Sequence, residues 1–111
     1  ESNNSYPPYN IVKSDNNYTI SLAIAGFSKD EIDISIQENE LVVKGAIKNN
    51  QENIEFLHKG IAGRNFERKF RLADTIKVTD ANYENGLLHI FLEREIPEHQ
   101  KPRKISISSK N

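Results

Sequence analysis

Apolar side chains recur at every second residue along most of this chain, which is the period of a β-strand. In residues 18–24, the sequence Tyr-Thr-Ile-Ser-Leu-Ala-Ile places its largest side chains on one face of an extended chain. Similar alternating or β-branched runs occupy 9–14, 32–36, 41–47, 66–72 and 88–92. A sustained helical period is absent, and a single helical turn near 28–32 is the most that the sequence predicts. The chain is therefore predicted to be all-β.

Turn-forming residues separate these runs at short intervals. Asp15-Asn16-Asn17 predicts a hairpin between strands at about 9–14 and 18–25, and Glu38-Asn39-Glu40 predicts another. The dipeptide Asn85-Gly86 is the strongest hairpin signal, because both central positions of a type I′ turn need a positive φ. Short strands joined by tight turns predict an antiparallel sandwich or barrel.

Composition restricts the function as well as the fold. With 111 residues, the chain is long enough for one domain with one core. Lys and Arg number 15 against 16 Asp and Glu, so the sequence lacks the basic excess that attracts nucleic acids or anionic membranes. No apolar run approaches the roughly 20 residues of a membrane-spanning helix. We therefore expect neither nucleic acid nor a membrane as a partner.

The sequence contains no cysteine and no methionine. The lack of cysteine excludes disulfides and cysteine-based redox or zinc sites. It also favours a reducing compartment, so we expect a cytoplasmic protein. Because no initiator methionine is present, the polar start at residues 1–5 is interpreted as the remnant of an N-terminal arm.

Catalytic and metal-binding motifs are missing from the sequence. His58, His89 and His99 do not show the spacing of metal ligands, and His89 alternates with core residues as a strand histidine would. Neither a phosphate-binding glycine loop nor a nucleophile elbow is present. We expect no enzymatic activity and no cofactor.

The connection 48–63 is long for a compact β domain, and connections of this length are usually functional or disordered. It begins polar and then carries Ile54, Phe56 and Leu57, which are costly to expose to water. Two interpretations are open. The segment covers its own core as a lid, or it forms a strand that pairs with the sheet of a partner.

The C-terminal end is set apart by Pro97 and Pro102, which bracket a polar stretch typical of an extended linker. Beyond it, Ile105 and Ile107 are two residues apart and point the same way in an extended chain. Full burial of each is worth about 1.5–3 kcal/mol, so we expect a site that receives them. The alternative is that 104–108 is one more strand of the chain's own sheet.

Two longer motifs and several short ones stand out against this background. Residues 64–72 read Arg-Asn-Phe-Glu-Arg-Lys-Phe-Arg-Leu, and residues 81–88 carry Ala81, Asn85, Gly86 and Leu88. The short motifs are Tyr6-Pro7-Pro8-Tyr9, Ala25-Gly26-Phe27 and the final Ile-x-Ile. Together they resemble the α-crystallin domain of bacterial small heat shock proteins, with its Arg-x-Phe-x-Arg-x-Phe-x-Leu strand and its Ala-x-x-x-Asn-Gly-x-Leu turn. The inclusion-body-binding subgroup is the most similar, over about residues 6–107.

The resemblance implies a two-sheet, antiparallel, immunoglobulin-like β-sandwich. It assigns residues 6–96 to the α-crystallin domain and 97–111 to a C-terminal extension with the Ile-x-Ile motif. It further implies that the 48–63 loop carries a strand that swaps into a partner protomer, beside that partner's first strand. The dimer interface that the resemblance implies includes Tyr9, Ile11, Ile54, Phe56, Leu57, Arg64 and Arg68.

Arg68 is informative in two ways. By alternation it falls on the same strand face as Phe66, Phe70 and Leu72, so its charge must be paired or must reach solvent. It also matches the signature arginine of the family, which the resemblance ties to the dimer and to sheet packing. Arg64 is the weaker candidate for that role, and the alternative for Arg68 is an exposed arginine at a sheet edge.

The resemblance implies an ATP-independent holdase that binds partly unfolded clients and suppresses their aggregation. In this family the Ile-x-Ile tail docks in a groove between two edge strands, often on a neighbouring dimer, and so builds larger homo-oligomers. The groove residues here would be Ile32, Ile34, Ile36, Ile76 and Val78. The resemblance also suggests a second small heat shock protein and ATP-driven chaperones as further partners.

Two other classes of protein share this type of sandwich. A monomeric co-chaperone module of the p23 type is the main alternative, although such modules usually lack both the long loop and the Ile-x-Ile tail. A glycan-binding sandwich would be expected to display an exposed aromatic platform, and this chain has no tryptophan. The mass of the chain in solution separates the first alternative from a strand-swapped dimer.

Overall fold

The computed structural model describes residues 6–48, 54–60, 64–96 and 101–109. This part of the chain contains seven β-strands and one 3-10 helical turn. The strands are β1 Tyr9–Ser14, β2 Asn17–Ala23, β3 Ile32–Gln37, β4 Glu40–Gly45, β5 Phe66–Arg71, β6 Ile76–Glu84 and β7 Leu87–Arg94. The helical turn is Lys29–Glu31, within the segment for which it was predicted. The all-β prediction is confirmed.

The strands form two antiparallel sheets. Sheet A has four strands in the order β1-β2-β7-β6, and sheet B has three in the order β3-β4-β5. The strand pattern alone left a sandwich and a barrel open, and two separate sheets decide for the sandwich. The edges of sheet A are β1 and β6, and the edges of sheet B are β3 and β5. These four edges frame the surfaces described below.

The core lies between the sheets and is built from the alternating apolar positions. The central strands supply most of it, because an inner strand is covered on both sides by its neighbours. The buried core residues are Ile20, Leu22, Ile24, Phe27, Leu41, Val43, Leu88, Ile90 and Leu92. Burial of each side chain of this size contributes about 1.5–3 kcal/mol. The edge strands are more exposed, and every residue of β1 is exposed.

The hairpin turn between β6 and β7 has the geometry that its sequence predicted. Asn85 and Gly86 have φ angles of 55° and 77°, both in the left-handed region. A Cβ atom at Gly86 would also stand 2.9 Å from the Cβ of Ala25. The close approach arises because the Ile24 N–H donates a hydrogen bond of 2.9 Å to the Gly86 carbonyl. Both backbone conformation and space therefore require glycine here.

Two predicted strand boundaries were wrong by two residues. β2 ends at Ala23 instead of 25, and β4 ends at Gly45 instead of 47. Beyond these ends the backbone donors are satisfied by partners outside the adjacent strands. The Ala46 N–H donates to the Glu31 carbonyl and the Ile47 N–H donates to the side chain of Asn65. The ladders stop where such partners replace a neighbouring strand.

Candidate interaction surfaces

The β3–β6 groove runs between two edge strands that belong to different sheets. It is lined by the five residues predicted for it, Ile32, Ile34, Ile36, Ile76 and Val78. Ile32 and Ile34 line a cavity of about 220 Å³, and Ile36, Ile76 and Val78 line a second of about 230 Å³. The fold therefore brings these residues together around two apolar depressions along one seam.

Both cavities have additional lining residues that the predicted groove did not include. The first is also lined by Lys29, Ala81, Asn82, Tyr83 and Leu88, and the second by Glu38, Asn39, Leu72 and Lys77. Ala81 and Leu88 belong to the turn signature of the sequence. They pack at the groove, whereas Asn85 and Gly86 of the same signature form the turn itself.

Polar contacts anchor one end of the second cavity. The Asn39 amide donates a hydrogen bond of 2.6 Å to the carboxylate of Asp74, and the Leu72 N–H donates one of 2.7 Å to the Asn39 carbonyl. These contacts join the β3–β4 turn to the segment that leads into β6. Asn39 was recognised only as a turn residue, because no local pattern indicates a partner so far along the chain.

Tyr83 anchors the first cavity from the β6 side. Its hydroxyl oxygen lies 2.7 Å from the carbonyl oxygen of Phe27 and 3.0 Å from that of Ile24. Burial raises the pKa of this phenol, and the nearby Tyr6 and Glu31 raise it further. The hydroxyl therefore stays protonated and donates to the connection that links the two sheets. The sequence does not predict this role for Tyr83, because its hydrogen-bond partners lie 59 and 56 residues earlier in the chain.

The β1–β5 side lies at the opposite edges of the two sheets. Arg68 of β5 is half-buried there, and its Nε and Nη2 atoms donate to the Pro7 carbonyl at 3.3 and 3.0 Å. Its guanidinium carbon lies 4.9 Å from the centroid of the Tyr9 ring. The Tyr9 ring in turn meets Phe70 edge-on, with centroids 5.1 Å apart. The guanidinium of Arg68 is thus hydrogen-bonded to a carbonyl of its own chain and covered by a ring, without an acidic partner among the contacts described.

Arg64 has a weaker set of contacts on the same side. Its guanidinium carbon lies 4.5 Å from the centroid of the Tyr6 ring, and the residue is exposed. Tyr6 meets Phe66 edge-on at 5.8 Å, and the neighbouring Pro7 is buried. Both arginines therefore attach the segment that precedes β1 to sheet B, Arg68 through hydrogen bonds and Arg64 through its ring contact.

A third cavity, of about 480 Å³, is lined by residues of every strand of sheet A, of β5 and of the β5–β6 connection. Its apolar lining includes Ile11, Tyr18, Ile20, Phe70, Leu72 and Leu92. Lys69, Arg71 and Arg94 also line it, and its lining contains no acidic residue. The cavity is therefore apolar inside and positively charged at its boundary. Ile11 was predicted at a dimer interface, and here it is an exposed side chain beside an open cavity.

The described part of the long connection, residues 54–60, forms no strand and packs on no core. Ile54 and Phe56 are exposed, and Leu57 is 100% exposed. Lys59 lies over the Phe56 ring, with its Nζ 5.1 Å from the ring centroid. A lid over the chain's own core would bury these side chains, so the structure does not support that interpretation. Residues 49–53 and 61–63 of the connection lie outside the described residues.

The C-terminal tail is exposed along its described length, 101–109. Ile105 is 73% exposed and Ile107 is 94% exposed. No strand is present in 101–109, so the alternative of one more strand in the chain's own sheet is not supported. The flanking residues 97–100 and 110–111, like the predicted arm remnant 1–5, lie outside the described part.

His89 has a partner in the outer face of sheet A. Its Nδ1 lies 2.8 Å from the Ser21 hydroxyl oxygen, and its ring stacks on Phe91. The prediction of a hydrogen-bonded strand histidine is confirmed. Within the described ranges, no group of three or more His, Cys, Asp or Glu side chains could hold a metal ion.

No helix in the described residues has the length and apolar character needed to cross a bilayer.

Comparison with known proteins identifies the family. Residues 10–108 match the family described as Hsp20/alpha crystallin. The chain is 53% identical over 109 residues to the small heat shock protein IbpA of Escherichia coli, which covers 97% of this chain and 80% of IbpA. The inclusion-body-binding resemblance is therefore confirmed.

Solved structures agree with this result. A small heat shock protein from Synechococcus phage S-ShM2 is 36% identical, with a TM-score of 0.70 over 92% of this chain and 99% of that one. The C-terminally truncated AgsA of Salmonella typhimurium is 31% identical, with a TM-score of 0.67 over 91% of this chain and 98% of that one. A small heat shock protein from Xylella fastidiosa, 22% identical, shares the fold with a TM-score of 0.73 over 93% of this chain and 96% of that one.

These matches decide between the function classes left open by the sequence. They do not favour the monomeric co-chaperone module, and they place the chain among chaperones that work without ATP instead of among enzymes. The exposed apolar segments and unfilled grooves described above suit a protein that binds other chains. The chain belongs to the Hsp20/alpha crystallin family, the small heat shock proteins, and is an ATP-independent holdase chaperone.

Proposed function

We propose that this holdase assembles from strand-swapped homodimers, in which segment 54–60 of each protomer pairs with the free edge of β1 in the other. One observation carries the proposal. The same chain presents an exposed strand edge at β1 and an exposed apolar segment around Leu57 that no sheet of its own receives. An unpaired edge gains backbone hydrogen bonds when it accepts another strand. Two copies related by a twofold axis satisfy both needs at once.

The cavity on the β1–β5 side supports the same pairing. A strand added outside β1 would direct alternate side chains toward this cavity. Ile54 and Phe56 alternate in this way, and either fits an apolar space of about 480 Å³. Volume and apolar lining therefore agree with a second copy as the occupant.

The test is the solution mass as a function of concentration, by light scattering and analytical ultracentrifugation. We expect a mass that is a multiple of a dimer for the wild-type chain. The double variant Ile54→Ser/Phe56→Ser should shift the mass toward 12.7 kDa at the same concentration. Ile96→Ser is the matched control, because Ile96 is also exposed but lies outside the proposed interface. A wild-type chain that stays monomeric at high concentration would contradict the proposal.

The second part of the proposal is that the tail docks in the β3–β6 groove of another subunit. In an extended chain, Ile105 and Ile107 are spaced about 6.7 Å apart on one face. The groove offers two apolar cavities, each suited in volume to one such side chain. Since both isoleucines are exposed in the single chain, docking would remove apolar surface on both partners. Dimers linked in this way would form larger homo-oligomers.

The tail is tested with Ile105→Ser/Ile107→Ser against Ser106→Ala/Ser108→Ala. The isoleucine variant should lose the larger species and keep the dimer, while the serine variant should keep both. An unchanged distribution for the isoleucine variant would exclude the tail as the linker between dimers.

Client binding follows from the same exposed surfaces by mass action. A groove that tails occupy only part of the time is available to the apolar segments of a partly unfolded client, and it competes with client self-association. Suppression of light scattering from a heat-denatured client measures this activity. Charged substitutions in the groove, such as Ile34→Asp and Val78→Asp, should weaken suppression if clients bind there.

A cytoplasmic location and cooperation with a second small heat shock protein or with ATP-driven chaperones remain predictions. Two observations support the location, the absence of cysteine and the similarity to IbpA. Refolding of a client held by this chain, with and without an ATP-driven chaperone system, would test the last of these.

A further inference from the structure

Glu31 is the one charged residue that is buried in the part of the chain that the structure describes, with 7% of its surface exposed. It ends the helical turn that leads into β3. A buried carboxylate is costly unless its oxygens are hydrogen-bonded. Both oxygens of Glu31 are, and both partners are backbone N–H groups. The function described so far does not use this residue.

The first of these partners is local and the second is distant. The Ser28 N–H donates to Oε1 at 2.9 Å, within the helical turn itself. The Lys48 N–H donates to Oε2 at 3.0 Å, across 17 residues of sequence. These two bonds lower the pKa of the Glu31 carboxyl, the Ser28 bond most strongly, so the group is ionised at neutral pH. The Ala46 N–H also donates to the Glu31 carbonyl, at 3.0 Å.

The long connection begins at Lys48, so this bond holds the chain where it leaves β4. We call residues 46–48 the stem of the connection. A residue on the returning side of the connection also contacts this stem. The Asn65 side-chain oxygen accepts a hydrogen bond of 3.0 Å from the Ile47 N–H. Asn65 lies directly before β5, on the returning side of the connection. Glu31 and Asn65 therefore both hold the stem, one before β3 and the other before β5.

The pattern of these bonds continues β4 by three residues without a neighbouring strand. Successive N–H groups of an extended chain point to opposite sides. Ala46 and Lys48 point toward Glu31, which precedes β3, and Ile47 points toward Asn65, which precedes β5. Glu31 and Asn65 thus replace the strands that would otherwise flank this stem. The chain leaves sheet B in a defined direction.

We infer that Glu31 and Asn65 are positioning residues for dimer assembly. They fix the direction in which the connection leaves the sandwich. Less of the connection then has to be ordered when segment 54–60 pairs with β1 of the second copy. Restricting a segment before it binds strengthens binding because less conformational entropy is lost on association. The inference rests on the strand-swapped dimer proposed above and adds what controls its strength. Although the Ile47 side chain packs against the core, the N–H groups that Glu31 and Asn65 hold lie beyond the end of β4, so their effect is expected on the connection and not on the sheets.

The test compares variants that remove one acceptor with variants that keep it. Glu31→Gln keeps the size of the side chain but leaves one backbone N–H facing an amide group. Asn65→Leu removes the acceptor for Ile47, and Asn65→Asp keeps it. Asp30→Asn is the charge-matched control for Glu31, since the Asp30 carboxylate is exposed and accepts only from the Ser28 hydroxyl among the bonds described.

Two quantities are measured on the full chain, the dimer dissociation constant and the hydrogen-exchange rates of single amides. Glu31→Gln and Asn65→Leu should each raise the dissociation constant about tenfold, which corresponds to the loss of one hydrogen bond that orders residues 46–48. They should also speed exchange at the amides of Lys48 and Ile47, respectively. Asn65→Asp and Asp30→Asn should behave as wild type. Protection of the Val43 amide in the core should not change.

The outcomes separate this inference from the dimer proposal. A wild-type dimer whose dissociation constant is the same in Glu31→Gln and Asn65→Leu overturns the inference and leaves the dimer standing. Loss of Val43 protection together with the stem amides would show that the two residues act on the whole fold, which also overturns it. A wild-type chain that is monomeric overturns the dimer proposal, and this inference with it.

Discussion

Replacing Arg68 with alanine should destabilise the fold much more than replacing Arg64. Arg68 donates two hydrogen bonds to the carbonyl oxygen of Pro7 and stacks over the Tyr9 ring. Pro7 is buried, so its carbonyl would lose these donors in a place where water has poor access. Arg64 is exposed and contacts only the Tyr6 ring among the contacts described.

The size of the effect follows from these contacts. Hydrogen bonds from a charged donor contribute about 1.5–3 kcal/mol, and here both share one acceptor, so they are counted once. The half-exposed ring contact adds about 0.5 kcal/mol. Taking the lower end of the first range because the guanidinium is only half-buried, we expect Arg68→Ala to cost about 2 kcal/mol. In a domain of this size that corresponds to a fall in Tm of about 8 °C. Arg64→Ala should cost under about 1 kcal/mol.

The assay is urea unfolding followed by far-ultraviolet circular dichroism, because the chain has no tryptophan. All variants must be compared at one protomer concentration, since assembly adds to the apparent stability by mass action. The solution mass is measured on the same samples. Because Arg68 was also predicted at the dimer interface, its replacement should lower the mass as well as the unfolding midpoint.

Three results would contradict these expectations. If Arg68→Ala unfolds at the wild-type midpoint and keeps the wild-type mass, the Pro7 contact does not stabilise the fold and Arg68 has no role in assembly. If Arg64→Ala is equally destabilising, the hydrogen bonds are not the cause of the difference. If Arg68→Ala lowers only the midpoint, the residue acts within the protomer and its predicted place in the interface is wrong.

Three further predictions concern other parts of the molecule. Gly86→Ala should cost more than about 2 kcal/mol in urea unfolding, because its positive φ and the neighbouring Cβ of Ala25 both exclude a side chain; a midpoint near wild type would contradict this. Tyr83→Phe should cost about 1–2 kcal/mol, since the carbonyls of the 24–27 connection lose their donor, and thermal unfolding measures it. Hydrogen bonds from the Ser28 and Lys48 N–H groups lower the pKa of the Glu31 carboxyl, so the ionised acceptor is complete above the usual range for glutamate and is lost as the pH falls through the lowered pKa. The dimer dissociation constant measured over that acidic range should therefore rise less in Glu31→Gln than in the wild type, and equal rises would contradict the role inferred for Glu31.

The strands and turns with strong local signals could be predicted correctly because their causes are local. Alternation at Ile20 and Leu22 reflects one buried face and one polar face of the same strand. Asn85 and Gly86 adopt positive φ angles at little cost, so their pairing predicts a tight hairpin wherever they occur. The five groove residues were also assigned correctly to two edge strands, although that assignment came from resemblance to a family.

Strand β6 shows where local reasoning fails. Only its start, Ile76 to Val78, was predicted as strand, and only through the resemblance to a family, yet the strand continues to Glu84 and contains an irregularity between Val78 and Asp80. In its second half, Ala81 and Tyr83 alternate with polar residues, but the irregularity puts this alternation out of phase with Ile76 and Val78. It is a strand because β7 lies beside it and pairs with it through Tyr83 and Leu88. In such a segment, pairing with a neighbouring strand decides the secondary structure, and the local pattern of side chains does not.

The contacts that complete the functional surfaces are of this second kind. Arg68 finds the carbonyl of Pro7 61 residues earlier, and Tyr83 finds that of Phe27 56 residues earlier. Alternation predicted that Arg68 shares a strand face with Phe66 and Phe70, so that its charge must be paired or must reach solvent. Periodicity predicted the all-β fold, and the resemblance of the motifs to a family predicted the chaperone. Which group pairs with Arg68, which carboxylate anchors Lys48, and which cavities open between the edges depend on how two sheets pack across a core. Packing brings together groups that share no sequence period, so only the folded chain reveals them.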